Sequence, residues 1–221
     1  MYLFYRVGFV GPGSVVCQEE MLGHSLLLHL LVGVMSLVGG LLVWVWCAGG
    51  FTASYVGSDE LETYWTIIPG GLVVSFLFPS LSVLYFIDCP DANAPNQVLK
   101  FVGHQWYWSF TSWGASSFGW SGEMYMVPTS LLGVGDFRLL EVDLPVPACY
   151  GLTRVVTSSC DVIHSVAVPA FGVKVDAVPG RLNQQVILLD IYGKFYGQCS
   201  EICGANHSFM PLAVEVVDCA P

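Results

Sequence analysis

Charge is scarce in this 221-residue chain: Asp, Glu, Lys and Arg make up 11% of the residues, and Lys and Arg together number 7. None of these four residue types occurs from Met21 to Ser58 or from Thr63 to Ile87. Hydrophobic side chains make up 54% of the sequence and the mean hydropathy is +0.64. This composition is too apolar for an ordinary globular domain and predicts that part of the chain lies in lipid.

The two uncharged stretches predict a pair of membrane-spanning helices, at residues 25–48 and 64–87, because each exceeds the roughly 20 residues that a span requires. Aromatic residues lie where interfacial anchors are expected, namely Trp44, Trp46, Trp65 and Tyr85. Residues 1–24 would then lie outside the membrane and residues 49–63 would form the loop of a helical hairpin. A cleaved signal peptide is the alternative for the first stretch, but its apolar core is too long and only Arg6 precedes it.

A separate domain is predicted over residues 97–221, where short β-branched or aromatic runs alternate with Gly, Pro and polar residues. The candidate strands are Val98–Val102, Trp106–Phe110, Glu123–Met126, Phe137–Val142, Thr153–Val156, Val173–Ala177, Gln185–Leu189 and Ala213–Val217. Their number and spacing predict an all-β sandwich or barrel with antiparallel strands.

The net charge of −10 limits the partners of this domain, since from Asp88 onward 12 acidic residues face 6 basic ones. Such a surplus disfavours nucleic acid and anionic lipid surfaces and favours a basic partner protein. Solubility alone would also account for the charge balance.

The segment YGQCSEICGANHSFMP brings four soft metal ligands within twelve residues: Cys199, Cys203, His207 and Met210. Thiolate, imidazole and thioether together favour copper over hard cations. A mononuclear copper site needs one Cys, whereas two thiolates can bridge two ions, each of which then needs its own imidazole. His164 is the candidate for the second imidazole. A Cys199–Cys203 disulfide, or a zinc site using both Cys, His207 and His164, remains open.

The pattern C-S-E-I-C-G-x-x-H-x-x-M, preceded by D-V-x-H-S, resembles the copper-binding signature of cytochrome c oxidase subunit II. The blocks DELETYWTIIP, GHQWYWSF, RLLEVD and GVKVDAVPGRLNQ are similar to blocks of the same family, in the same order. The resemblance runs from the second helix to the C-terminus. It implies a two-helix transmembrane hairpin followed by a cupredoxin-like β-sandwich.

The same resemblance implies a binuclear copper centre that takes electrons from cytochrome c and passes them to the haem of the catalytic subunit. Oxygen reduction on that other subunit is coupled to proton pumping. Cys199 and Cys203 would bridge both ions, with His164 and Met210 completing one, and His207 and the carbonyl of Glu201 the other. The Glu201 carboxylate would help to hold Mg²⁺ where the chain meets the catalytic subunit.

Further roles follow from the resemblance for residues outside the copper loop. Trp106 would admit electrons from cytochrome c, although an aromatic cluster of this kind also suits sheet packing. Glu62 would mark the start of a proton path, although a carboxylate is also favoured at a helix N-terminus. The acids that would dock cytochrome c are Glu141, Asp143 and Asp161.

The sequence departs from the family in two segments. The segment TSWGASSFGWSGEMYM, which follows the QWYW block, contains only Glu123 where several acids are usual, and the approach to the first helix, EEMLGHS, contains only His24 where several His and an Asp are usual. Six cysteines match no ligand position and are expected to be buried or surface thiols: Cys17, Cys47, Cys89, Cys149, Cys160 and Cys219.

Three other interpretations remain: a copper-free subunit of the quinol-oxidase type, a copper domain like that of nitrous-oxide reductase, and a membrane-anchored zinc module. The presence of the ligands disfavours the first, and the hairpin disfavours the second. The expected location is the mitochondrial inner membrane, with the copper domain on the intermembrane-space side, and the bacterial plasma membrane is the alternative. The acid-containing N-terminus, with Glu19 and Glu20, does not resemble a transit peptide.

Overall fold

The structure, a computed structural model, describes residues 10–50, 57–88, 95–114 and 119–218. The chain divides into two compact units. One consists of residues 20–87 and is helical; the other consists of the described parts of residues 1–19 and 88–221 and is built mainly from β-strands.

Two long helices dominate the N-terminal third, α1 (Val15–Ala48) and α2 (Asp59–Asp88). Both are long enough and apolar enough to cross a membrane, and the most apolar segment of each helix is not buried against the rest of the protein. Gly49 ends α1 with a φ of 61°, the left-handed conformation that glycine adopts without strain. A Cβ added at Gly23 would lie 3.7 Å from Val83 Cγ2, so the two helices lie side by side there.

Both helices begin earlier than the hydrophobic runs predict, because each start is set by a serine cap rather than by the first apolar residue. The Ser14 hydroxyl accepts a hydrogen bond from the Cys17 N–H at 3.1 Å, and the Ser58 hydroxyl accepts one from the Leu61 N–H at 3.3 Å. An N-terminal cap of this kind satisfies backbone donors that have no partner within the helix. The charged residues Glu19 and Glu62 therefore lie within helices.

The β unit contains ten strands in two five-stranded sheets. The first sheet has the order β3-β2-β1-β5-β8, and the second the order β4-β10-β9-β6-β7. The strand bounds are β1 Gln97–His104, β2 Tyr107–Gly114, β3 Trp120–Met124, β4 Val146–Cys149, β5 Gly151–Ser159, β6 His164–Val168, β7 Val173–Ala177, β8 Asn183–Leu189, β9 Gly193–Cys199 and β10 Pro211–Val217. Most pairs are antiparallel, but β1 pairs with β5, and β10 with β4, in parallel.

The two sheets enclose one apolar core. Burial alternates along β1 and β5, as a strand with one face on a core requires. The largest fully buried side chains include Phe101, Trp108, Met124 and Leu212. These observations confirm the predicted two-helix and β-sandwich class.

One predicted strand is wrong, since residues 137–142 form turns and contribute only an isolated bridge between Met126 and Val142. The N–H groups of Leu140 and Glu141 both donate to the Phe137 carbonyl at 3.2 Å, and Leu139 has a φ of 69°. This turn directs the carboxylate of Glu141 onto β9, where it pairs with Lys194 and accepts a hydrogen bond from the Tyr196 hydroxyl.

Residues 13–17, which precede and begin α1, pack on the sandwich. The Gly13 N–H donates to the Ala170 carbonyl at 2.6 Å, and the Ser14 hydroxyl donates to the Phe171 carbonyl at 2.7 Å. Val16 and Cys17 are buried. The β unit therefore includes the first turn of α1 and the residues just before it.

Candidate metal centre

The five predicted side-chain ligands lie at the ends of three strands and in the loop between β9 and β10. His164 begins β6, Cys199 ends β9, and Met210 immediately precedes β10. Cys203 and His207 lie in the connecting loop. Since β6 and β10 both pair with β9, strand pairing brings residues 164, 199 and 210 to one end of the sheet.

The ligand atoms converge on a small volume. Cys199 Sγ lies 4.0 Å from Cys203 Sγ, 3.8 Å from His164 Nδ1 and 3.3 Å from the Glu201 carbonyl oxygen. Cys203 Sγ lies 3.5 Å from His207 Nδ1 and 4.0 Å from Met210 Sδ. The His164, Cys199 and Cys203 donor atoms all lie within 4.8 Å of one another, close enough to hold one metal ion, and His207, Met210 and the Glu201 carbonyl contact this group pairwise.

Backbone hydrogen bonds hold the loop closed. The Cys199 N–H donates to the Met210 carbonyl at 3.2 Å, and the Ser200 N–H donates to the Ser165 carbonyl at 3.0 Å. Gly204 has a φ of 123°, which a side chain would strain, and its carbonyl accepts from the His207 N–H at 3.2 Å. The loop conformation is therefore set by the backbone.

Cys199 and Cys203 are not joined by a disulfide in the structure, because their sulfur atoms are 4.0 Å apart, whereas a disulfide bond is about 2.05 Å long. Burial alone would raise the pKa of Cys199, but hydrogen bonds with His164 and neighbouring groups outweigh burial and lower it to about 6. Burial and repulsion from Cys199 raise the pKa of Cys203 to about 12. The pair therefore favours a single negative charge until a cation compensates for a second.

The His164 imidazole is held on both sides. Its Nδ1 faces Cys199, and its Nε2 lies 2.8 Å from Asp161 Oδ1. Burial would lower the pKa of His164, but these two partners outweigh burial and raise it. A carboxylate on the far nitrogen is the usual device that orients a histidine toward a metal ion.

Asp161 also holds the turn between β1 and β2. Its Oδ2 accepts from the Gln105 N–H at 2.7 Å, and the Gln105 side-chain amide donates to the Cys203 carbonyl at 2.7 Å. A Cβ added at Gly204 would lie 3.1 Å from Trp106 Cζ2, so the indole packs directly against the loop, one residue from Cys203. Trp106, predicted from the sequence, therefore lies beside the ligands.

The acids predicted for docking lie in three different environments. Asp143 is exposed and accepts a hydrogen bond from the Tyr125 N–H at 2.8 Å. Asp161 is also exposed, although its oxygens are engaged as described. Glu141 is 7% exposed; burial would raise its pKa, but the Lys194 and Tyr196 hydrogen bonds lower it. This burial does not support a docking role for Glu141.

Two further predicted residues are Glu62, in the helical unit, and Glu201, in the ligand loop of the β unit. Glu62 lies in the first turn of α2, with Asp59 and Glu60. Glu201 is half-buried and contributes its carbonyl to the cluster. Among the other cysteines, Cys47 and Cys160 are exposed free thiols. Cys149 is disulfide-bonded, so the expectation of a free thiol there was wrong, and Cys89 and Cys219 lie outside the described residues.

Comparisons with known proteins agree with the geometry. Residues 97–217 match the family model described as cytochrome C oxidase subunit II, periplasmic domain. The chain is 44% identical over 216 residues to cytochrome c oxidase subunit 2 of Albinaria caerulea, a match that covers 96% of this chain and 94% of that protein. It is 42% identical over 215 residues to cytochrome c oxidase subunit 2 of Metridium senile, with 96% and 86% covered.

A solved structure resembles the β unit. It is the periplasmic domain of subunit II of the cytochrome oxidase of Bradyrhizobium japonicum, 40% identical in sequence with a TM-score of 0.50. The match covers 57% of this chain and 87% of that one.

Proposed function

Because this chain belongs to the cytochrome c oxidase subunit II family, we propose that its metal centre takes electrons from cytochrome c and passes them to the haem of the catalytic subunit. The chain is a membrane-anchored subunit of the oxidase, and oxygen reduction coupled to proton pumping is the work of the whole assembly. The observation that carries the proposal is the convergence of Cys199, Cys203, His164, His207 and Met210, with Cys199 and Cys203 4.0 Å apart and unbonded.

The donor set fits copper. Thioether sulfur is not among the usual ligands of zinc in proteins, whereas thiolate, imidazole and thioether together suit copper. His164 and Met210 would hold one ion, and His207 and the Glu201 carbonyl the other, with both thiolates shared. When bound, such a copper pair supplies a one-electron carrier whose charge is spread over two metals.

The chain shields most of the proposed ligands from water and holds them in place, although His207 and Glu201 are only half-buried. His164, Cys203 and Met210 are buried, and the loop that carries Cys203 is fastened to β6 and β10 by backbone hydrogen bonds. Fixed polar groups and excluded water reduce the rearrangement that accompanies a change of charge. A site of this kind suits rapid electron exchange at a small driving force.

Trp106 would admit the electron, because its indole packs against Gly204 beside the thiolate loop. Asp143 and Asp161 would attract a basic cytochrome c and raise its rate of association. Glu141 is left out of this surface because it is buried in an ion pair with Lys194.

The Glu201 carboxylate would hold Mg²⁺, for which oxygen ligands are suitable. Glu62 would accept protons at the start of a path that continues in the catalytic subunit. These roles place the hairpin loop on the inner side and the copper domain on the intermembrane-space side of a mitochondrial inner membrane. A bacterial plasma membrane would have the corresponding orientation.

Metal analysis and electron paramagnetic resonance on the full chain in detergent, loaded with copper, test the proposal. The full chain is used because residues 13–17 pack on the sandwich. We expect two coppers per chain and a seven-line spectrum, lost in Cys199→Ser and kept in Cys160→Ser, which changes an exposed thiol. The proposal would be refuted if the chain bound zinc, a single copper with a four-line spectrum, or no metal. Absence of metal would match a subunit of the quinol-oxidase type.

A further inference from the structure

We propose that Gly103 is a positioning residue of the metal centre: the absence of a side chain at this position leaves the space that the His164 imidazole occupies. The expected effect on metal binding rests on the proposed function, but the steric fit between Gly103 and His164 can be tested without metal. Gly103 lies on β1, and His164 on β6 of the opposite sheet.

The contact between the two residues leaves no room for a methyl group. A Cβ built on Gly103 would lie 2.6 Å from His164 Cδ2, 2.7 Å from Cγ and 3.0 Å from Cβ. Non-bonded carbon atoms are normally about 3.5–4.0 Å apart. An alanine therefore requires a displacement of about 1 Å.

The backbone of Gly103 is restrained on both sides. It pairs with Trp108 on β2 and with Ser159 on β5. Its carbonyl accepts from the Cys160 N–H at 3.1 Å and from the Ser159 hydroxyl at 3.3 Å. The central strand of this sheet cannot move away without breaking these hydrogen bonds.

The imidazole is equally restrained. His164 is 0% exposed, its Nε2 is bound to Asp161, and its ring centroid lies 5.7 Å from that of the fully buried Trp108. The expected outcome of a clash is a shifted ring. Metal ligands must be held to within about 0.5 Å, so a shift of this size moves Nδ1 out of the position that faces Cys199.

The requirement for glycine here is one of space and not of backbone conformation, since Gly103 is not among the described glycines with positive φ. Gly114, at the other end of the same strand pair, provides a matched control. Among the residues that the structure describes, a Cβ there would meet only the Sγ of the disulfide-bonded Cys149, at 3.9 Å, an ordinary contact.

The first experiment compares Gly103→Ala and Gly114→Ala in the full chain in detergent, by copper content, competition with a copper chelator and electron paramagnetic resonance. We expect Gly103→Ala to weaken copper binding at least tenfold and to lose the equivalent-copper pattern, while Gly114→Ala retains both. Wild-type affinity and spectrum in Gly103→Ala would overturn the inference.

A double-mutant cycle on the metal-free chain separates positioning from a general loss of folding. Gly103→Ala should lower the urea midpoint of the sandwich markedly in the native background and much less in His164→Ala, where the ring is absent. If Gly103→Ala alone does not fold, the double variant should. Equal destabilisation in both backgrounds, or failure of both to fold, would overturn the inference. If the wild-type chain bound no copper, the proposed function would be refuted, but the double-mutant cycle would still decide whether Gly103 makes room for His164.

Discussion

Replacing Asp161 by Asn should weaken copper binding about tenfold, because Asp161 joins the ligand His164 to the rest of the site. Oδ1 faces His164 Nε2 at 2.8 Å and accepts from the Val162 N–H at 2.6 Å, while Oδ2 accepts from the Gln105 N–H at 2.7 Å. Asn retains one oxygen only. If that oxygen stays with His164, the new NH₂ group meets the Gln105 N–H, and two donors oppose each other.

The magnitude follows from the contacts that are lost. A hydrogen bond to a charged group contributes about 1.5–3 kcal/mol, and carboxylates behind metal-bound histidines typically change metal affinity about 10–100-fold. The Asp161 side chain is 33% exposed, so solvent screens part of its charge and the lower end applies. A tenfold change corresponds to about 1.4 kcal/mol.

Competition of the full chain with a copper chelator of known affinity measures this change. Asp143→Asn is the control, since Asp143 is also exposed and also accepts a backbone hydrogen bond, from Tyr125, but has no contact with a ligand. Both variants should slow association with cytochrome c, but only Asp161→Asn should lose copper affinity. Unchanged affinity in Asp161→Asn, or an equal loss in both, would refute the reasoning.

Three further outcomes are expected. Glu141→Gln should lower the free energy of unfolding of the sandwich by about 1–2 kcal/mol, a discounted value because Lys194 is partly exposed. Because folding lowers the pKa of Glu141, its carboxylate stabilises the fold at pH values above its unfolded-state pKa, and this stabilisation is lost as pH falls through its folded-state pKa. The free energy of unfolding, measured with urea, should therefore differ less between pH 7 and pH 3 in Glu141→Gln than in wild type. Turnover with cytochrome c should fall as ionic strength rises, and the fall should be steeper in wild type than in Asp143→Asn. Turnover that does not change with ionic strength would exclude electrostatic docking. In the assembled oxidase, Glu62→Gln should slow proton uptake, and an unchanged rate would count against the proton-path role.

The sequence predicted seven of the ten described strands at least in part, and missed β4, β6 and β9. β7 was predicted with its observed bounds, Val173–Ala177. β6 was missed because all five of its residues are buried, so it has no alternation to detect. β9 was missed because its sequence, GKFYGQC, contains two glycines and reads as a turn.

The proposed ligand residues could be identified from the sequence because their spacing is local, apart from that of His164, and the structure brings His164 together with Cys199 and Cys203. The supporting contacts were not, because they depend on which strands become neighbours. Nothing in the sequence indicates that Gln105 bonds to the Cys203 carbonyl, or that Glu141 pairs with Lys194 across 53 positions. The family resemblance assigned Asp161 to the docking surface, and its bond to His164 appears only when the turn after β5 is folded.

The ligand loop meets two demands that conflict in a small domain: its donors must be dry, and its surface must admit a partner. The loop meets both by placing exposed residues directly beside buried ones. Cys203 and Met210 are buried, whereas their neighbours Ile202 and Phe209 are 79% and 45% exposed. Exposed apolar side chains on both sides of a buried ligand set favour partners that displace water on contact. A charged residue at position 202 would hold that water more strongly and would weaken such a contact.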